Sequence, residues 1–438
     1  MSFRLAPLAL GISFALGLCS PVRAQSLYEL YEDARKFDAP YLAARALADS
    51  AQYKAEQSHA LRRPTLGLGV SAGRSTIDPG NSSITRTGTV GVNGTQSLFN
   101  RANDATIAQA DKGVEAARAD VEIAEQDLIV RVAQAYFDVL GAQDTLTTAE
   151  ANKKAIAEQL ASAKRNFEVG TATITDTREA QARYDLATAQ EIAADNDLRA
   201  KRIALDTLVG RVGIGPRPVA TPLPLAPLPG TVEEWVTPVD TAAAVRKARI
   251  GYEVARLETD KARAGNLPTV DVTGNAGRGN STTSPVIPNV TQNGSANKAE
   301  IAVALKLPLF AGFSIQNRIK ETLLLEEQSR YQLEAARRSV AQTTRVAYFG
   351  VQSLQAQVKA LEAAESSSLL ALEATQLGYR VGVRVNLDVL NAQTQLFTTR
   401  RDLAKARYDL LVNSLKLRQA AGILKPDDVL AINQLLVK

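Results

Sequence analysis

The sequence predicts a mainly α fold with a smaller β component, built as two internal repeats around two very long helices. Three observations carry this. From Arg101 onward, apolar or small residues recur every seventh position: Ile107, Val114, Val121, Leu128, Ala135, Ala142, Ala149, Ile156 and Ala163. A second seam, Val132, Val139, Leu146 and Leu160, runs beside the first, and no proline interrupts either. That is the heptad pattern of a helix packed on other helices, about 100 Å long at 1.5 Å per residue. The pattern then returns 212 positions later, with Val340, Ala347, Leu354 and Leu361 standing for Leu128, Ala135, Ala142 and Ala149. Even Ala135-Tyr136-Phe137 reappears, as Ala347-Tyr348-Phe349. Finally, ahead of each long helix the apolar period changes from 3.6 to 2, the mark of strands.

The elements follow in order. Residues 1–24 read as a secretory signal: Arg4 is the basic n-region, Leu5 to Cys19 the apolar core, and Val22-Arg23-Ala24 the cleavage site, so the mature chain begins at Gln25. The alternative is a lipoprotein signal acylated at Cys19. Against it, Leu18 stands where a small residue is expected. Cleavage removes the single Cys, leaving no thiol, disulfide or Cys metal site. The first repeat covers 25–212. Ser26 to Lys36 is an amphipathic helix, Asp38-Ala39-Pro40 separates it from a second helix over Tyr41 to about Leu61, and Pro64 ends that one. A strand over Thr65–Ala72 puts Leu66, Leu68, Val70 and Ala72 on one face and Thr65, Gly67, Gly69 and Ser71 on the other. A polar loop containing Pro79-Gly80-Asn81 leads to a second strand, about Thr87–Phe99, and then to the long helix.

Residues 213–240 form a crossover. Six prolines between Pro216 and Pro229 exclude helix there, and Trp235 follows as a packing residue. The second repeat, 241–438, has a helix over Thr241–Ala264 and a strand with Val270, Val272, Gly274 and Ala276 on one face. A Ser/Thr/Asn-rich loop over roughly 279–297 precedes a strand carrying Ile301 to Leu309, and the second long helix spans about Phe313–Tyr379. Each strand is expected to have the 9–11 residues that cross an outer membrane. Soluble half-buried hairpins would show the same alternation. Four strands cannot close a barrel and open edges are costly in lipid, so strands in a membrane require several chains to share one barrel with cyclic symmetry.

Each long helix ends alike, in Phe167-Glu168-Val169-Gly170 and Tyr379-Arg380-Val381-Gly382, with glycine at the left-handed position that stops a helix. Thr175 and Asn386 are candidate caps for return helices over about Asp176–Leu208 and Leu387–Gly422. A net charge of +5, or +3 without Arg4 and Arg23, is too weak to argue for nucleic acid. The one His, His59, reads as a surface residue, and no metal site, phosphate loop or nucleophile motif is present.

A signal sequence followed by a duplicated helix–hairpin–long helix–tip–return helix unit with a proline-rich crossover resembles the TolC-type outer-membrane efflux proteins. Gln159-Leu160, Arg165 to Asp176, Ala182-Arg183-Tyr184-Asp185, Gly378-Tyr379 to Leu390 and Ala404 to Leu411 carry the likeness. It implies a homotrimeric channel-tunnel in the outer membrane of a Gram-negative cell. Each chain gives four strands to a shared 12-stranded barrel and long antiparallel helices to a periplasmic tunnel about 100 Å long. It further implies contact with outer-membrane lipid, a periplasmic adaptor, and an inner-membrane pump of the RND, ABC or MFS type, in tripartite efflux or type I secretion of drugs or polypeptides. No reaction is catalysed and no cofactor is needed.

The resemblance assigns Tyr379 and Arg384 to a gate held through Thr175, Asp176 and Gln159. It places Asp388 in a carboxylate ring at the periplasmic mouth. Asn391 stands where a second ring would have aspartate, which weakens cation selectivity. Val169-Gly170 and Val381-Gly382 match the tips that dock the adaptor. On the residues alone, Asp388 is also what a first helical turn favours by about 0.3–1 kcal/mol, and Tyr379 is a helix-end packing residue. Two alternative readings are a lipidated drug- or metal-efflux factor and a periplasmic coiled-coil structural protein with soluble hairpins.

Overall fold

The computed structural model describes residues 25–77, 83–171, 173–220, 228–285 and 292–437. The signal sequence with Cys19, the Pro79-Gly80-Asn81 stretch and residues 221–227 of the proline-rich crossover lie outside the described residues.

Helix α1 (Leu27–Phe37) starts at a reciprocal cap: Ser26 Oγ accepts from Glu29 N–H and Glu29 Oε2 from Ser26 N–H. Asp38 ends α1 and caps α2 (Ala39–His59), accepting from Tyr41 N–H at 3.0 Å, with Pro40 in the first turn. Helix α2 stops at His59, earlier than the expected Leu61. A 3-10 turn over Ala60–Arg62 follows, and Arg63 is extended because it precedes Pro64. Strands β1 (Thr65–Ile77) and β2 (Ser83–Phe99) lead to α3 (Arg101–Glu168), capped by Asn100, and α3 to the return helix α4 (Ile174–Val209).

In the second repeat a short helix α5 (Val232–Val236) and a 3-10 turn precede α6 (Ala243–Ala264). Then come β3 (Thr269–Pro285), β4 (Gln292–Lys306), α7 (Ser314–Arg380), α8 (Asn386–Ala420) and α9 (Pro426–Asn433). Among the described residues no helix is long and apolar enough to cross a membrane.

The four strands form one antiparallel sheet in the order β1-β2-β3-β4, the two repeats meeting where β2 pairs with β3. The strands run to 13–17 residues, longer than the 9–11 expected. The stretches expected to be Ser/Thr/Asn loops are largely strand, because short hydroxyls pair across the ladder, as Thr85 does with Thr283 at 3.2 Å. The register gathers Leu66, Leu68, Val70, Val92, Val272 and Val303 on one face, and Thr, Ser, Asn and Gly on the other. The sheet curls toward the second, polar face. At the repeat seam Gly91 opposes Gly277, where a Cβ on Gly277 would lie 2.8 Å from Gly91 Cα. The concave face is therefore small and polar, and the convex face apolar.

The helices repeat that order. α2 and α4 lie along α3; α6 and α8 lie between α3 and α7. Each outer pair is stacked end to end. α4 finishes at Gly210 (φ 76°) against Phe37, and α8 runs to Gly422 (φ 71°) against Ala242, where a Cβ would come within 2.4 Å of the Ala242 Cα. A core at mid-length joins Leu128, Tyr136 and Phe137 of α3 to α1, α4, α8 and α9. Asp38 binds Arg131 of α3 through two 2.8 Å hydrogen bonds, and Tyr136 donates its hydroxyl proton to Arg217 O at 2.9 Å. The start of the crossover bridges to Gln25 and Leu436, and its later part lies on α7. Tyr348 donates to Gly230 O there, and Trp235, on a short helix the sequence did not announce, donates to Pro229 O.

Candidate functional site at the helix tips

Both long helices end with the same backbone lock. Thr171 N–H reaches Asn166 O at 2.8 Å and Gly170 N–H reaches Phe167 O at 3.0 Å; Val383 N–H reaches Gly378 O at 2.9 Å and Gly382 N–H reaches Tyr379 O at 3.1 Å. Gly170 and Gly382 hold φ of 78° and 81°, a conformation costly for any side chain but a hydrogen. Val169 and Val381 beside them are exposed, as are Val383 and Val385.

The caps differ from those expected. Thr173, not Thr175, caps α4: its Oγ1 accepts from Asp176 N–H at 3.2 Å and Asp176 Oδ2 accepts from Thr173 N–H at 3.0 Å. Thr175 sits exposed inside the first turn. Asn386 is not the cap of α8 either. Val385 holds that position without a side-chain bond, because the Asn386 amide is buried and turned toward α3.

Within one chain the tip residues fall into separate pairs. Tyr379 packs on Leu372, Val389 and Leu396, and its hydroxyl accepts from Asn166 Nδ2 at 3.2 Å. Gln159 Nε2 donates to Asn386 Oδ1. Arg384 faces Asp388 at 3.6 Å, one turn away on its own side of the tip. Its stem lies across Gly378, where a Cβ would sit 2.8 Å from Arg384 Cγ. Asn391 Oδ1 accepts from Arg183 Nη2 of α4 at 3.1 Å. Tyr379 and Arg384 therefore do not meet Thr175 or Asp176 inside a single chain, and Asp176 is engaged by Thr173.

Asn166 was missed by the sequence reading. The signal was available, since Asn166 and Gly378 are repeat counterparts and only one of them has a side chain that can bridge the tips. His59 lies far along the chain from this site, half-buried and 3.0 Å from Asp111. Among the described residues no cluster of His, Cys, Asp or Glu is arranged to hold a metal ion.

Comparison with known proteins accounts for this architecture. The family described as outer membrane efflux protein matches residues 30–211 and 240–423. Outer membrane protein TolC of Vibrio cholerae is 33% identical over 433 residues, 97% of either chain. The alkaline protease secretion protein AprF of Pseudomonas aeruginosa is 34% identical over 315 residues, 69% of this chain and 63% of its own. Among solved structures, VceC from Vibrio cholerae superposes with a TM-score of 0.75 at 22% identity, over 90% of this chain and 96% of its own. The open-state MtrE channel of Neisseria gonorrhoeae gives 0.75 at 22%, over 93% and 94%. The shared fold is the channel-tunnel, in which four strands per chain serve a common barrel and the long helices build a periplasmic conduit. The chain belongs to the outer membrane efflux protein family, as a TolC-type exit channel and not an enzyme.

Proposed function

We propose that the tips form a periplasmic gate, closed by links within and between protomers and opened when a periplasmic adaptor engages Val169, Gly170, Val381 and Gly382. The observation that carries this is the Asn166–Tyr379 hydrogen bond, which ties the ends of the two long helices across the repeats. The helix order supplies the rest. α7 is at one edge of the chain and α4 at the other, so in a closed trimer the α7 tip of one protomer meets the start of α4 of the next. Arg384 then reaches Thr175 and Asp176 of the neighbouring protomer, and Gln159–Asn386 holds α3 to α8 inside each chain.

Each such hydrogen bond contributes about 0.5–1.5 kcal/mol and an exposed ion pair about 0–1 kcal/mol, so closure rests on threefold repetition. Asp388 lines the mouth. Asn391, bonded to Arg183, adds no charge, so cation selectivity is weak. The pump is of the RND, ABC or MFS type. The likeness to a protease secretion protein supports polypeptides as cargo beside drugs.

Single-channel conductance in a planar bilayer tests the gate. The wild type should pass small currents that grow in the Tyr379→Phe, Arg384→Ser variant. A large current, unchanged by the substitutions, would place the gate elsewhere. Asn391→Asp should shift the reversal potential toward stronger cation selectivity.

A further inference from the structure

Charge is sorted between the two faces of the sheet. The described strands carry two acids, Asp271 and Glu300, and both fall on the concave polar face, as do Lys298 and Lys306. The three arginines, Arg74, Arg86 and Arg278, all fall on the convex apolar face. Arg74 and Arg86 are directly opposed across β1 and β2, a like-charge pairing that destabilises a ladder unless an anion lies between. All three are exposed, and none has an ion pair or hydrogen bond among the described residues. Among the described residues no acid on that face answers them.

Their height along the strands fixes what they meet. The helices join the strands at Thr65, Phe99, Thr269 and Lys306, so that end of the sheet faces the periplasm. Exposed Phe99 and Phe310 mark the near boundary of the apolar surface. Arg86 stands 13 residues from Phe99 along β2, and Arg74 is level with it. For a strand tilted by roughly 40° that is about 30 Å along the membrane normal, just beyond an apolar band about 25 Å tall. Arg278 is opposite Val90, just inside the top of the band, with a stem long enough to snorkel out to the same level.

We infer that Arg74, Arg86 and Arg278 form a binding site on the outer wall of the barrel for the phosphate groups of a phosphorylated glycolipid in the outer leaflet. Guanidinium suits this ligand because its planar fork pairs phosphate oxygens two at a time and stays charged at any physiological pH. A lipid anion supplies the missing counter-charge between Arg74 and Arg86, and its acyl chains lie along Leu68, Val70 and Val92 below. The inference rests on the outer-membrane placement of the strands and is independent of the gate.

The test uses the folded trimer in detergent, titrated with bisphosphorylated lipid A, with the same lipid A after dephosphorylation, and with inorganic pyrophosphate. Bound lipid is read by native mass spectrometry and the thermal midpoint in parallel. The wild type should bind the phosphorylated lipid at least tenfold more tightly and gain thermal stability from it alone. Arg74→Gln, Arg86→Gln, Arg278→Gln should abolish that preference. The triple lysine variant should keep part of it, and Lys298→Gln, on the concave face, should keep all of it. Equal binding of the two lipids by the wild type would overturn the inference without recourse to any variant. So would equal stabilisation by pyrophosphate, which marks a site for a free anion, or a preference that survives in the glutamine variant. Flotation of the trimer with vesicles reads membrane insertion separately from lipid choice.

Discussion

Ala135-Tyr136-Phe137 and Ala347-Tyr348-Phe349 are the same three residues at the same point of two helices of nearly equal length, and they meet opposite environments. Phe137 is 1% exposed, stacked on Tyr408 in the largest core of the chain; Phe349 is 54% exposed. The difference extends along the whole helices. In α3 both heptad seams are buried over much of their length, at Leu128, Ala142, Ile156 and Ala163 in one and Val132, Val139 and Leu160 in the other. In α7 one seam, Thr344, Val351, Val358 and Leu372, is buried, and the other, Val340, Ala347, Leu354 and Leu361, is only partly so. A heptad pattern states that a helix will be packed, not by which chain. α3 has neighbours on both flanks in its own chain, whereas α7 is an edge whose outer side its own chain leaves open to a neighbouring protomer.

Phe137→Ala should separate the two repeats most widely. It costs about 3–5 kcal/mol of chain stability, because a fully buried ring leaves a cavity. Phe349→Ala should leave the chain folded and weaken the trimer. Thermal unfolding of the monomeric state and the trimer fraction on mild gels distinguish them. Equal effects of the two substitutions on both readouts would erase the distinction.

A smaller contrast concerns Asp38 and its counterpart. Asp38 caps α2 and binds Arg131, whereas the second repeat has Ala242 and Thr343 at these positions and no side-chain cap on α6. The Arg131 guanidinium, against the opposing effect of burial, holds the Asp38 carboxyl below its ordinary range. A depressed carboxylate stabilises the fold fully above its unfolded pKa of about 3.9, and that contribution is lost as pH falls through the lower folded value. Asp38→Asn should cost about 2–3 kcal/mol at neutral pH and flatten the loss of thermal stability below about pH 4. Ala242→Ser should leave that acid limb untouched.

Gly210 and Gly422 sharpen the comparison further. A methyl group on Gly422 meets the Ala242 backbone, which has nowhere to go, while one on Gly210 meets the Phe37 ring, which is exposed and can turn. Gly422→Ala should therefore cost about 2–3 kcal/mol and Gly210→Ala about 1 kcal/mol, by thermal denaturation. The smallest effect belongs to the tips. Asn166→Ala should remove about 1 kcal/mol of closure per chain and raise the frequency of channel opening, with little change in melting temperature. The equivalent change Gly378→Ala should act through displacement of Arg384 instead.

How much was legible follows from where each signal comes from. The long helices, their doubling and their glycine stops were plain because periodicity and a left-handed stop are local properties of the chain. The ends of the strands were not. Thr282, Thr283 and Asn293 face a polar lumen or a headgroup layer, so their composition is that of a loop although their backbone is a ladder. The α4 cap went to Thr175 when Thr173 and Asp176, spaced three apart, form the reciprocal pair. Asn386 looked like a cap and is instead occupied by Gln159, 227 residues away. α5 and α9 are too short for any period to announce. The links proposed for Arg384 across protomers depend on a neighbour whose position no single chain encodes.

The two glycines facing each other at β2 and β3 bear on how the sheet can close into a ring. Four strands must sweep one third of a circle if three chains are to meet without a gap. A uniform bend would spread that arc over every strand pair. At the repeat boundary Gly91 and Gly277 put no side chain between the two backbones, so that seam has room to bend. The duplication thus supplied both the halves of the chain and, where they meet, a seam at which two hydrogen atoms stand in place of side chains.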